Sequence, residues 1–159
     1  MVLPAQAAPG AAAPGAEPVP GLDAEIGFWL AELGSRTRWV LPPEIDRALE
    51  RSPSLRIRPR ALAVGSFHVA EVRNIGDPLF GDLRALNALL NARYALVPVS
   101  AEYAPDPAGP GRVEIRAALI DTLGGAVLWY GAVAGERGPA ADPAVVASAA
   151  RALAAAVAR

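Results

Sequence analysis

The sequence predicts an α/β (α+β) fold: a mixed, mainly antiparallel sheet with helices packed on it. Three observations carry that prediction. Apolar residues recur at helical spacing in four stretches, residues 94–133 alternate at strand period between Pro- and Gly-rich turns, and the strands follow one another with a single helix after them. At 159 residues the chain fits one such domain, with a core large enough to need neither disulfide nor metal.

The opening stretch, "MVLPAQAAPGAAAPGAEPVPG", admits two readings. The preferred one makes Val2-Leu3-Pro4 the end of a first core strand, followed by an Ala/Pro-rich loop or tether, so that 1–20 precede an α/β domain over 21–159. The other makes Ala5-Gln6-Ala7 an A-x-A cleavage site with its basic and apolar regions upstream of a wrongly chosen start. Residues 7–20 hold four prolines and two glycines, and each Pro removes a donor and fixes φ, so neither helix nor ladder is expected there.

From Gly21 the punctuation becomes regular. "LDAEIGFWLAELG" sets Leu22, Ile26, Trp29 or Leu30, and Leu33 on one helical face, with Asp23 and Glu25 in the first turn and Gly34 as the stop. "TRWVL" reads as a short strand ended by Pro42-Pro43, where a second helix begins and turns Ile45, Ala48 and Leu49 inward. In 54–76, "RPRALAV" suggests a short helix and "SFHVAEV" an edge strand. Asp77-Pro78 then starts a helix carrying Leu79, Leu83, Leu86 and Leu90 to an end near Arg93.

"YALVPVSAEY" predicts a strand whose Pro98 faces outward at an edge or sits at a bulge, because it cannot donate to a ladder. "APDPAGPG" reads as a flexible connection to "RVEIRAALI", where Val113, Ile115, Ala117 and Leu119 share one face and Glu114 and Arg116 the other. Asp121 to Gly125 form a turn, the pair Gly124-Gly125 supplying positive φ and the Asp121 carboxylate accepting backbone N–H groups. "AVLWYGAVAGE" returns antiparallel with Val127, Trp129 and Val133 on one face. Asp142-Pro143 caps a last helix with Val146, Ala150, Leu153 and Val157 in a stripe.

Composition narrows function by exclusion. All 15 basic residues are Arg and 16 carboxylates leave a net charge of -1, a balance that disfavours a global nucleic-acid or anionic-membrane binder. Without Lys there is no Schiff-base chemistry; without Cys there is no thiol nucleophile, disulfide or thiolate metal site. No window approaches the roughly 18 uninterrupted apolar residues of a spanning helix.

A helix leading into "ARYALVPVSAEY", then "VEIRAALIDTLGG" turning into "AVLWYGAVAGE", resembles a module of bacterial envelope proteins: the amino-terminal domain of TolB, the curli-secretion lipoprotein and the lipoprotein activators of penicillin-binding proteins. Tyr94-Ala95-Leu96-Val97 matches the start of a strand in that module, and Asp121, Gly124 or Gly125, and Trp129 match its recurring Asp, turn Gly and Trp. The lipidated Cys and the membrane-spanning hairpin of the secretion protein have no counterpart in this sequence. The resemblance implies a non-enzymatic binding or assembly module that contacts another envelope protein and needs no cofactor. It also implies a periplasmic or envelope-associated location if a signal precedes this sequence, and a cytoplasmic one otherwise.

The residues suited to chemistry are few. His68 is the only histidine, so a hydrolase would have to pair it with a carboxylate, with Ser66 and Glu71 nearby in "GSFHVAEV"; the nucleophile-elbow pattern is missing. Glu102, Asp106, Glu114, Asp121 and Glu136 lack metal-ligand spacing. The cluster Arg51, Arg56, Arg58 and Arg60 is the densest positive run; Arg56 and Arg58, on one strand face, could clamp an anion or nucleic acid together with Arg60, although no aromatic interleaving favours nucleic acid. Trp129 and Tyr130 face opposite sides of their strand, so one of them, Tyr130 above all, is a candidate contact residue.

Overall fold

The computed structural model describes residues 1–7, 17–34, 36–69 and 72–158. Helices α1 (Leu22–Leu33) and α2 (Pro42–Glu50) come first, then a 3-10 turn (Gly65–His68) and α3 (Leu79–Leu90). Strands β1 (Tyr94–Asp106), β2 (Gly109–Asp121) and β3 (Ala126–Ala134) follow, and α4 (Pro143–Val157) closes the order. The strands form an antiparallel sheet in the order β1-β2-β3. The fold is α/β with helices packed on a mainly antiparallel sheet.

The amino-terminal residues extend this sheet. Val2 bridges Leu96 in parallel, Leu3 N–H donates to Leu96 O at 2.9 Å, and Gln6 N–H donates to Pro98 O at 3.0 Å. Leu3 and Ala5 are buried, so cleavage after Ala7 would remove core side chains as well as this ladder. On the far side of Val2 its amide donates to Val40 O at 2.8 Å. Among the described residues that one bond is all the pairing "TRWVL" achieves: a Gly34–Thr37 turn precedes it, and Pro42-Pro43, with no donors, follows. Most of the Ala/Pro loop, 8–16, lies outside the described residues.

Both faces of the sheet are covered. On one, Leu96, Ala101, Val113, Ile115 and Ala117 meet α1 (Leu22, Ile26, Leu30) and α4 (Val146, Ala150, Leu153). On the other, Ala95, Val97, Val99, Ala118 and Ile120 meet Ile45 of α2, Leu79, Leu83 and Leu86 of α3, and Phe67. Each buried Leu or Ile contributes about 1.5–3 kcal/mol relative to exposure. The second face of β2 changes along its length: Arg116 is exposed, whereas Ala118 and Ile120 are fully buried. Helices α2 and α3 therefore cover only the turn end of that face.

Further expectations are corrected. "APDPAGPG" is a tight hairpin, not a flexible connection: Asp106 pairs with Gly109 across a two-residue turn, and Asp106 Oδ1 accepts Ala108 N–H at 2.8 Å. "SFHVAEV" is not an edge strand, because burial of Phe67 winds 65–68 into the 3-10 turn and leaves Val69 85% exposed; Ala70 and Glu71 lie outside the described residues. "RPRALAV" makes only a turn at Arg58–Ala61. Val127 does not share the face of Trp129 and Val133, since a bulge at Leu128 lets Leu119 pair with Trp129 but Ile120 with Val127. The edge beside β3 is taken instead by Asn74, which bridges Ala126. Pro98 sits at a register shift, the bulge its missing donor requires.

Candidate functional site

Strand β3 ends the three-stranded sheet, and among the described residues only its first positions are covered. Val127 N–H donates to Arg73 O at 2.9 Å, and Ile75 N–H to Gly125 O at 2.8 Å. From Leu128 to Ala134 no described residue hydrogen-bonds to the outer side of the strand. Its sequence, "AVLWYGAVA", holds no charge and no Pro, the features that usually keep a free edge from pairing. Leu128 is 54% exposed, and Ala132 and Ala134 are exposed as well. This edge can accept a further strand.

The hairpin that presents β3 is held rigidly. Gly125 takes φ +74°, while Gly124 is not in the positive-φ region, so one glycine of the pair serves the turn. Asp121 Oδ1 accepts Leu123 N–H at 3.0 Å, and Arg93 grips the same carboxylate, Nη2 to Oδ2 at 2.6 Å. Arg93 foremost, then the Leu123 amide, holds the Asp121 carboxyl below the usual carboxylate range. Thr122, fully buried, donates its hydroxyl to Arg93 O at 2.6 Å. Nothing in the sequence motif pointed to Arg93; it lies 28 residues away and meets Asp121 only through the β1–β2 pairing.

Trp129 packs against the α1–α4 core and over Gly131, where a Cβ would come within 2.6 Å of its ring. Tyr130 is half-buried on the opposite face. Its ring lies 5.4 Å from that of Phe67, and its hydroxyl donates to Phe67 O at 3.0 Å, so it clamps the 3-10 turn to the sheet. Trp29 and Trp39 also lie partly buried against the α1–α4 core.

The arginines regroup. Arg60 ion-pairs with Asp23 at 2.7 Å, and Asp23 Oδ1 accepts Ala5 N–H at 2.8 Å, fastening the first strand to α1. Burial dominates at Asp23 and raises its carboxyl despite the Ala5 amide and Arg60, with Glu17 adding to the rise. Arg56 and Arg58 are exposed but lie on irregular chain, not on a common strand. Arg51 joins Arg38 and Arg47 instead, around a groove of ≈ 480 Å³ beside α2. The sequence separation of Arg38 hid that grouping.

His68 ends the 3-10 turn half-buried, and among the described residues no carboxylate forms an ion pair with it. Asp106 pairs with Arg137, Glu114 with Arg112 at 2.8 Å, and no metal-ligand cluster occurs among the described residues. No helix described is long and apolar enough to cross a membrane. No family model, no curated protein and no solved structure gives a significant match to the chain.

Proposed function

We propose that this chain is a non-enzymatic binding and assembly module of the bacterial cell envelope, and that it recruits a protein partner by adding a strand of that partner to β3. The single observation behind it is the uncharged, Pro-free outer edge of Leu128–Ala134, unpaired among the described residues and next to a hairpin fixed by Arg93 and Asp121. Main-chain hydrogen bonds to such an edge supply affinity, and side chains such as Leu128 supply selectivity. The resemblance of Tyr94–Val97, Asp121, Gly124, Gly125 and Trp129 to the envelope module supports the location and the absence of a cofactor.

The test is the size and fraction of the protein expressed from its own locus. The wild-type chain is expected in the envelope fraction in a complex larger than the free chain. A Leu128→Lys/Ala132→Lys variant, folded as judged by circular dichroism, is expected in the same fraction as free chain. A wild-type protein free in the cytosol would remove both halves of the proposal.

A further inference from the structure

At the opposite edge of the sheet, beyond Val2 and Val40, lies the groove shared by Arg38, Arg47 and Arg51. We propose that this groove binds a phosphate monoester with an apolar body, independently of the β3 edge. Its charge carries the inference. Three guanidinium groups face one carboxylate, Glu44, and none of the three forms an ion pair among the described residues. Arg47 uses its Nε on Pro43 O at 3.1 Å, which leaves its terminal nitrogens for a ligand.

Arg47 and Arg51 stand at the carboxyl end of α2, where the helix dipole alone would favour cations. Arg38 comes from the other wall, on the segment paired to Val2, and no helix end accounts for its presence there. The convergence of both walls gives a surplus of two positive charges, matched by a phosphate monoester dianion better than by a carboxylate; the planar forks of Arg suit its oxygens. Ser52 adds a hydroxyl at the rim, and Val40, Ala48, Leu89 and Leu90 form apolar lining suited to the organic part of the ester. A volume of ≈ 480 Å³ accommodates a small molecule of this kind.

Titration of the intact chain with phenyl phosphate, inorganic phosphate and benzoate at constant ionic strength tests the proposal by calorimetry. Phenyl phosphate is expected to saturate one site and to bind about tenfold or more tightly than either control, since each control lacks one half of the complement. Arg38→Gln and Arg51→Gln are expected to weaken it by about tenfold each, as loss of a charge-assisted contact does. Arg56→Gln/Arg58→Gln, which removes two positive charges outside the groove where each groove variant removes one, is expected to leave it unchanged. Absence of saturable binding, equal binding of inorganic phosphate, or an equal loss in the Arg56/Arg58 variant would overturn the assignment. Because Leu128→Lys/Ala132→Lys leaves this groove intact, it is expected to bind phenyl phosphate as wild type does.

Discussion

Gly125 stands where a Cβ would lie 3.2 Å from both Ile75 O and Phe80 Cδ2, in a backbone conformation of φ +74°. Gly125→Ala is therefore expected to lower stability by about 1–3 kcal/mol, read as a fall in the urea midpoint at constant slope. Gln6 is another fixed point: buried, it donates to Pro4 O and Pro59 O and accepts from Leu62 N–H at 2.9 Å. Gln6→Ala leaves those groups unpaired, at an expected cost of about 1–3 kcal/mol in the same measurement. The two aspartates that brace the fold respond to acid in opposite directions. Asp121 has a lowered carboxyl, so its contribution is complete above the unfolded value and is lost as pH falls through the folded one. Asp23 has a raised carboxyl, so the native state takes up its proton first and stability falls as pH rises through the folded value. From neutral toward about pH 4 the wild type should gain stability relative to Asp23→Asn, and below about pH 4 it should lose stability relative to Asp121→Asn, as equilibrium unfolding across the two ranges would show.

Elements with a strong local signal were legible in the sequence. The Leu79, Leu83 and Leu86 stripe is buried in α3, and Asp142 caps α4 by accepting Ala144 N–H at 2.9 Å. Leu83→Ala, at a fully buried position, should cost about 2–5 kcal/mol in denaturant unfolding, whereas Arg84→Ala on the exposed side should cost little. Elsewhere local pattern gave way to tertiary contacts. Alternation in "SFHVAEV" suggested a strand, but Phe67 is buried against Tyr130 and residues 65–68 wind into a 3-10 turn. The bulge at Leu128 is invisible in composition, yet it reverses the face of Val127 and leaves Leu128 exposed on the open edge. For the candidate sites, the hairpin was legible through Asp121 and Gly125. The Arg38–Arg47–Arg51 groove was not, because Arg38 and the two arginines at the end of α2 lie on separate segments that line one groove only in the folded chain.

Across the whole molecule the sheet divides two cores, and the first residues stitch them together: Val2 packs on the α1–α4 side, Leu3 on the α2–α3 side. Removing residues 1–7 should abolish cooperative unfolding, because the outer side of β1 loses its ladder and both cores lose side chains. With one sheet edge closed by this segment, β3 from Leu128 on is the edge left unpaired among the described residues. The chain has no cysteine, so single substitutions along β3 offer unique attachment points. The decisive measurement is photo-crosslinking in the producing cells from a benzophenone attached at Leu128→Cys, Ala132→Cys or Ala134→Cys, with Arg84→Cys on α3 as the control. Strand addition to β3 predicts one common partner adduct from the three edge positions and none from position 84. Equal labelling from position 84, or no adduct along the edge, would contradict it.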